Sequence, residues 1–410
     1  MAGKKILYIS GSLGLGHIYR DLAITSELRK AHPNLEVLWL AAHPATVALE
    51  EAGERLFLEA GAYANDNISA EEVGEEGFHL NLLSYLMNAQ SEWKANVKVF
   101  NKALKLDNFD IVIADEAYEI AVGIGADDIQ LELPFIFIYD FIGNVSMSWN
   151  PIEQLVTYMW NREWTKLESL FAEEKNHGLF IGLPEDIPNT SLGFLLPNRR
   201  KLGEAMCEFI GYILPFDPEQ FKDQKAIKKR LGYGEETLVI CSIGGTSVGK
   251  ELLELCAKTY PILRKTIPDL KMVLVCGPRL PVETLEVPEG IEVHGYLPDL
   301  YMHFAASDLT IAQGGGTTTL ELTALQRPFI YFPLEGHFEQ QVHVAGRLGR
   351  HGAGIKLLYS ETTPPSLAEM VLANLNKDVS EISIPVDGAK KAAEIISPYL
   401  TAKQHLTAAH

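Results

Sequence analysis

Short apolar runs alternate with longer amphipathic stretches along the whole chain. Between the apolar runs, apolar side chains recur with the spacing of helices, so the pattern predicts parallel sheets with crossover helices. The chain has 410 residues, more than one hydrophobic core usually covers, which predicts two α/β domains. The apolar runs lie at residues 5–10, 36–40, 110–114, 135–139, 238–243, 271–276, 309–312 and 329–332.

The stretch 309–341, LTIAQGGGTTTLELTALQRPFIYFPLEGHFEQQ, carries the most specific pattern. It predicts a strand, a glycine turn at 314–316, a helix that opens on Thr317, and a second strand. Glycines let a ligand approach the backbone, and a helix N-terminus offers unpaired N–H groups, so the turn suits a phosphate. Glu321, one helical turn later, could accept hydrogen bonds from ribose hydroxyls. The alternative is a plain tight turn whose carboxylate complements the helix dipole.

Two other glycine loops also follow predicted strands. GSLGLGH (11–17) has Tyr19 where a dinucleotide fingerprint needs its third glycine, and His17 where a P-loop needs lysine. GGTSVGKE (244–251) fits G-x-x-x-x-G-K, but Glu251 stands where a P-loop needs Ser or Thr for Mg²⁺. We therefore reject an ATPase and predict that the second loop faces a phosphate.

Two carboxylates follow the predicted strand at 110–114. Asp115 and Glu116 stand at its carboxyl end, where ligand-facing groups gather in open α/β sheets. Either side chain could orient and charge-stabilise His17, or it could cap the next helix.

The order of these motifs resembles the glycosyltransferases of the GT-B fold. It particularly resembles the family that includes the peptidoglycan lipid-intermediate N-acetylglucosaminyltransferase (MurG) and the galactolipid synthases. The resemblance rests on G-G-x-x-T-x-x-E, on Glu339-Gln340-Gln341, and on G-H-x-x-R-x-x-A around His17. Many relatives carry histidine where this chain has Gln313, whose amide can still donate to a phosphate. The resemblance implies two Rossmann-like, doubly wound parallel-sheet domains that face a central cleft.

The resemblance also implies a role for each motif. The helix start would meet the donor diphosphate, the glutamate would chelate the ribose, the paired glutamines would reach the donor sugar, and the histidine would act as general base. Tyr296 would stack on the uracil, unless it is simply an aromatic strand residue. The implied donor-binding residues are Gly244, Gly245, Thr246, Ser247, Tyr296, Leu297, Gln313, Gly315, Gly316, Thr317, Thr318, Glu321, Glu339, Gln340 and Gln341. The implied catalytic residues are His17, Asp115 and Glu116, and the acceptor-side loop includes Gly14, Gly16 and Arg20.

The domain boundaries follow from the same resemblance, because F-I-G-Y at 209–212 matches the crossover before the second domain. We predict an acceptor-binding domain at residues 1–210, a linker at 211–218 and a nucleotide-sugar-binding domain at 219–385. A final helix within 386–402, ending at Pro398, would cross back to the first domain.

An aromatic helical pattern lies at residues 144–176. It contains Trp149, Trp160 and Trp164, and its apolar side chains fall on two faces. One face can pack in the core. The other face could also pack in the core, line the acceptor pocket or contact a membrane surface.

Composition narrows the remaining classes. The net charge of −19 argues against nucleic acid and against electrostatic docking on anionic lipid, although the family includes peripheral membrane enzymes. No apolar run approaches the roughly 20 residues of a membrane span, and the first run predicts a strand and not a signal peptide. The four cysteines lack metal-ligand spacing and predict the reduced thiols of a cytoplasmic protein.

We therefore predict an inverting glycosyltransferase that transfers a sugar from a UDP-sugar to a hydroxyl of a lipid or small-molecule acceptor. No convincing D-x-D carboxylate pair lies on a loop, so we expect no cofactor and no divalent cation. Two alternatives keep the same nucleotide site: a non-hydrolysing UDP-sugar 2-epimerase, and a catalytically silent nucleotide-sugar-binding subunit.

Overall fold

Two parallel sheets, one in each half of the chain, form the framework of the protein. The computed structural model describes residues 3–11, 16–43, 45–58, 62–63, 74–75, 79–80, 82–245, 248–375 and 377–401. The prediction of two doubly wound α/β domains is confirmed, because helices cover both faces of each sheet.

The first sheet has the strand order β3-β2-β1-β6-β7-β8-β9, and every pairing in it is parallel. Its central strands, such as IVIAD and FIFIY, are buried along their whole length, as expected of parallel strands covered on both faces. Its strands are β1 (Lys5–Ile9), β2 (Glu36–Leu40), β3 (Arg55–Leu56), β6 (Ile111–Asp115), β7 (Phe135–Tyr139), β8 (Asn176–Ile181) and β9 (Cys207–Gly211). Strands β4 (Gly74–Glu75) and β5 (His79–Leu80) form a separate antiparallel pair. The helices are α1 (Gly16–Ala31), α2 (Ala45–Glu51), α3 (Leu82–Leu106), α4 (Tyr118–Gly125), α5 (Pro151–Phe171) and α6 (Arg199–Met206).

The second sheet has the strand order β12-β11-β10-β13-β14-β15 and is also parallel throughout. Its strands are β10 (Leu238–Ser242), β11 (Lys271–Val275), β12 (Ile291–His294), β13 (Leu309–Gln313), β14 (Phe329–Phe332) and β15 (Ile355–Lys356). The helices in this half of the chain are α7 (Gln224–Arg230), α8 (Lys250–Thr266), α9 (Leu300–Ala306), α10 (Gly316–Ala324), α11 (Ala345–His351), α12 (Pro364–Asn374) and α13 (Gly388–Thr401). The segment Glu339–Val344, just before α11, is a π-helix.

Strand order locates the place where each sheet can bind a ligand. In an open parallel sheet, ligands bind beyond the carboxyl ends of the strands, at the point where the strand order reverses. That point lies between β1 and β6 in the first sheet and between β10 and β13 in the second. The three glycine loops and the Asp115–Glu116 pair all follow these four strands.

The two domains are joined by a polar contact near the crossover. Arg350 on α11 forms an ion pair with Asp186, and its guanidinium donates to the Tyr212 hydroxyl (2.9 Å). The Tyr212 hydroxyl in turn donates to Asp186 Oδ2 (2.8 Å). This contact ties the helix after the π-helical segment to the first domain.

Helix α5 has apolar residues on two faces, as the sequence predicts. Trp164 and Leu167 are buried in the first core, whereas Ile152 and Leu155 on the opposite face are exposed. Trp149, just before the helix, is 96% exposed. Among the described residues, no helix has both the length and the apolarity needed to span a membrane. The outer face of α5 is therefore an apolar patch on the surface of the first domain.

The last helix, α13, returns to the first domain and packs against α1. Ile396 and Leu400 are buried in the same core as Leu28, and His32 Nε2 lies 3.0 Å from Ser397 Oγ. The prediction that this helix ends at Pro398 is wrong, because it continues to Thr401. Burial of Leu400 offsets the backbone hydrogen bond that the proline cannot make.

We predict that Ile396→Ala destabilises the first domain by about 2 to 5 kcal/mol, because it removes a fully buried side chain between α13 and α1. Urea unfolding followed by circular dichroism measures this loss. Glu394→Ala, on the exposed side of the same helix, should change stability by less than about 0.5 kcal/mol. Equal effects of the two substitutions would show that α13 is not part of this core.

Candidate active site

The N-termini of α1 and α10 meet across the cleft between the domains. Gly16 opens α1 and Gly316 opens α10, whose second residue is Thr317. A Cβ atom added to Gly16 would overlap the side chain of Thr317, so the two helix starts are in direct contact. Both helices therefore present unpaired backbone N–H groups to one region of the cleft.

Arg20 on α1 connects two carboxylates that lie at the carboxyl ends of β6 and β7. Its guanidinium donates to both carboxylate oxygens of Asp115 (2.7 and 2.5 Å) and to Asp140 Oδ2 (3.0 Å). Burial alone would raise the pKa of Asp115, but the charges of Arg20 and His17 outweigh burial and lower it. The pKa of Asp140 is lowered in the same way, against burial, by a hydrogen bond with Glu116 and by Arg20. Both aspartates are therefore ionised beside one cation.

His17 has a carboxyl group near each ring nitrogen. Nδ1 lies 3.3 Å from Asp115 Oδ2 and 2.8 Å from Arg20 Nη2, and Nε2 lies 3.6 Å from Glu116 Oε2. A guanidinium only donates, so Arg20 pairs with Nδ1 when that nitrogen carries no proton. When Nδ1 carries the proton it donates to Asp115, and Nε2 is then free to accept a proton. The structure thus brings together all three predicted catalytic residues.

Glu116 is held in a strained conformation. Its φ of 51° lies in the left-handed region, which costs a residue with a side chain roughly 1 to 3 kcal/mol and is common at functional sites. Burial, followed by the nearby charge and hydrogen bond of Asp140, raises its pKa well above the usual range. Its Oε1 accepts a hydrogen bond from the Tyr118 hydroxyl (3.1 Å). Burial therefore favours the protonated form of Glu116 beside His17.

Three of these side chains could also hold a cation. His17, Glu116 and Asp140 offer ligand atoms that all lie within 4.8 Å of one another. Imidazole and carboxylate are suitable ligands for divalent metals. Arg20 also donates to Asp140 and contacts His17 Nδ1, so two of these three side chains already have a cationic partner in the protein.

A cavity of about 340 Å³, the inner cavity, adjoins this cluster. Gln340 lines it, and its carbonyl oxygen accepts from Leu334 N (2.8 Å), which leaves the NH₂ group as its donor to a ligand. Glu339 also lines it, and burial, with a smaller contribution from Asp140, raises its pKa to about 8. One wall is aromatic and contains Trp93, Phe141, Trp160, Trp164 and Phe338.

A larger cavity of about 790 Å³, the outer cavity, adjoins the inner one at the two helix starts. Gly16, Gly244, Gly245, Thr317 and Thr318 line both cavities. The predicted uracil and ribose contacts Tyr296, Leu297 and Glu321 line the outer one.

Two side chains of the outer cavity have properties that suit ligand contact. Burial raises the pKa of Glu321 to about 8, because no cation in the described chain compensates its charge. The hydroxyls of Tyr296 and Tyr19 lie 2.8 Å apart and link the two domains over the cavity.

Two predicted donor contacts have other partners in the structure. The Gln313 amide is best satisfied when its NH₂ group donates to Ile243 O (2.6 Å) and Val248 O (3.2 Å), so it supports the loop after β10, and the residue also lines the inner cavity. Gln341 donates to the backbone oxygens of Pro333 and Leu334, and its own oxygen accepts from Lys356. It is not among the residues that line either cavity, and its expected contact with the donor sugar stays a prediction.

The structure also shows where Lys250 lies, the lysine of the rejected P-loop interpretation. Lys250 begins α8 and pairs with Glu254 one turn later (3.5 Å), and it lines neither cavity. Gly14, Thr246 and Ser247 lie outside the described residues, so their predicted contacts stay predictions.

Several residues of the site were missed from the sequence. Asp140 follows β7, so the rule that pointed to Asp115 could have found it. His343 belongs to the π-helical segment and lines the inner cavity. No periodic pattern in the sequence predicts the position of its side chain, because a π-turn interrupts the helical period. Arg347, which donates to Gly316 O (2.7 Å), supports the start of α10 and was also missed.

Comparison with known proteins shows that this chain is similar to glycosyltransferases. Residues 239–396 match the glycosyltransferase family 28 C-terminal domain. The UDP-N-acetylglucosamine--N-acetylmuramyl-(pentapeptide) pyrophosphoryl-undecaprenol N-acetylglucosamine transferase of Carboxydothermus hydrogenoformans is 22% identical over 397 residues, covering 94% of this chain and 93% of that protein. An uncharacterized glycosyltransferase of Methanosarcina acetivorans is 26% identical over 380 residues, covering 89% and 87%.

A solved structure, the glycotransferase of kitacinnamycin, has the same fold. It aligns with a TM-score of 0.63 at 16% identity, over 97% of this chain and 100% of that one. The proteins matched along the length of this chain are transferases, and the epimerase alternative is not favoured. The chain therefore has the GT-B fold and is a glycosyltransferase whose residues 239–396 match the family 28 C-terminal domain.

Proposed function

We propose that the protein is an inverting glycosyltransferase that transfers a sugar from UDP to a hydroxyl of an apolar, lipid-type acceptor without a metal ion. The observation that carries the proposal is the contact between the starts of α1 and α10. It places a helix N-terminus suited to a diphosphate next to His17, the residue suited to deprotonate a hydroxyl.

The donor would bind mainly to the second domain. Its diphosphate would lie at the N-terminus of α10, where Thr317 and Thr318 add hydroxyl donors and Arg347 supports the first turn. Glu321, for which the described residues supply no compensating cation, would accept hydrogen bonds from the ribose hydroxyls. The base would occupy the outer cavity beside Tyr296.

The acceptor hydroxyl would meet His17 in the inner cavity. With its Nδ1 proton donated to Asp115, His17 can take the hydroxyl proton at Nε2 as the oxygen attacks the sugar. Attack from the face opposite the leaving UDP inverts the anomeric centre. The amides of the α10 start would stabilise the charge that develops on the diphosphate.

The aromatic wall of the inner cavity supports an acceptor with an apolar part. Helix α5 contributes Trp160 and Trp164 to this wall, while its outer face exposes Ile152 and Leu155. A lipid acceptor could thus enter from a membrane surface contacted by α5 while its hydroxyl reaches His17. We accordingly propose a cytoplasmic protein at the periphery of a membrane, with a small apolar molecule as the alternative acceptor.

The first prediction tests the donor site by thermal unfolding in EDTA. UDP at 100 times its dissociation constant adds about 2.7 kcal/mol and should raise the midpoint by roughly 2 to 4 °C. Glu321→Gln should abolish most of this shift, whereas Glu369→Gln on exposed α12 should retain it. A shift with ATP and Mg²⁺ or with NAD, but none with UDP, would contradict the donor assignment.

The second prediction tests the base. His17→Ala should reduce turnover by roughly 10²- to 10⁴-fold with little change in UDP affinity, because the imidazole acts on the acceptor. Steady-state rates and UDP titrations measure the two quantities. His177→Ala, on β8 and lining neither cavity, serves as the control and should keep wild-type turnover. Wild-type turnover in His17→Ala would refute the base assignment.

The third prediction tests the fit between the helix starts. Gly16→Ala places a methyl group against Thr317 and should push the domains apart, which costs on the order of 10²-fold in turnover for a displacement of about 1 Å. Gly349→Ala on α11 has open space around its new methyl group and is the matched control. Unchanged turnover, with an unchanged radius of gyration in small-angle scattering, would show that the contact is not needed.

A further inference from the structure

His343 is a buried histidine that the described chain leaves unpaired. It is 6% exposed, and neither Nδ1 nor Nε2 has a hydrogen-bond partner among the described residues. Its ring packs between Phe141 and Phe338, with centroids 5.9 Å away in each case. Leaving buried donors and acceptors unpaired is costly, and native structures usually avoid it unless a ligand, water or function requires it.

The position of His343 indicates which ligand would pair with it. It lies three residues after Gln340 in the π-helical segment, and both side chains line the inner cavity. This segment packs against the start of α10: a Cβ atom on Gly316 would lie 3.5 Å from Glu339 Oε1 and 3.9 Å from Val344 Cγ2. A group that touches His343 is therefore the group next to the proposed diphosphate, which is the transferred sugar.

The surroundings of His343 favour a neutral ligand with hydroxyl groups. Burial, followed by the charges of Arg199 and Arg347, lowers its pKa to about 3, so its ring is neutral and offers one N–H donor and one acceptor. A carboxylate or phosphate could use only the donor, whereas a hydroxyl can pair with either nitrogen.

We propose that His343 is a specificity-determining residue that binds hydroxyl groups of the transferred sugar, beside Gln340. This inference rests on the proposed function, because it takes the donor to be a UDP-sugar. His343 contributes nothing to UDP itself, since the nucleotide lies in the outer cavity.

The test separates binding from stability with His343→Leu, which removes both ring nitrogens. The unliganded variant should unfold at the wild-type midpoint or above it, because no internal hydrogen bond is lost. The matched control is His303→Leu, because His303 Nδ1 is paired with the Tyr233 hydroxyl (2.7 Å) and its replacement should lower the midpoint. A fall in His343→Leu like that of His303→Leu would overturn the proposal, since His343 would then be a structural residue.

Calorimetric titration then compares UDP with UDP-glucose, UDP-galactose and UDP-N-acetylglucosamine. His343→Leu should bind UDP as the wild type does but bind the preferred UDP-sugar about 10- to 100-fold more weakly, as expected for two lost hydrogen bonds. His343→Gln keeps a donor and an acceptor and should recover part of that loss. Unchanged UDP-sugar affinity in His343→Leu would overturn the inference. A wild-type protein that binds none of these nucleotides would refute the donor assignment itself, before any variant is measured.

Discussion

The structure of the cleft depends on the buried guanidinium of Arg20. Asp115, Asp140 and Glu116 stand together at the carboxyl ends of two strands, where uncompensated charges would be costly to bury. Arg20 pairs with both aspartates, and burial favours the protonated form of Glu116, so one cation faces two ionised carboxylates in the cluster. A buried ion pair adds little net stability, but this one sets the position of His17 before any substrate arrives.

The cleft retains several features that a fold optimised for stability alone would lack. Glu116 has a left-handed backbone, and among the described residues Glu321 has no compensating cation and His343 has no hydrogen-bond partner. They lie at the carboxyl end of a strand, on α10 and in the π-helical segment, around the two cavities. Proteins commonly accept such local costs where a ligand supplies the missing partner. The concentration of these features in one place is consistent with substrates that complete the site.

The two domains make unequal contributions. The second domain offers backbone amides, hydroxyls and Glu321, which suit a nucleotide. The first domain offers His17 with its charged neighbours and the aromatic wall, which suit an acceptor. Because the reacting groups belong to different domains, the contact of Gly16 with Thr317 and the polar contact of Arg350 with Asp186 decide whether they meet.

The sequence by itself determined that the chain forms two parallel sheets and which loops would face the cleft. Apolar runs and glycines after strands are local features of the sequence. Because ligands bind beyond the carboxyl ends of parallel strands, these features predict where the site lies. It also pointed to Asp115 and Glu116 without showing that one faces Nδ1 of His17 and the other Nε2. Only the tertiary structure decided that Gln313 and Gln341 pair with backbone oxygens, that Asp140 shares Arg20, and that His343 enters the inner cavity. These outcomes depend on side chains meeting across strands and domains and on a π-turn, and no local period in the sequence encodes either.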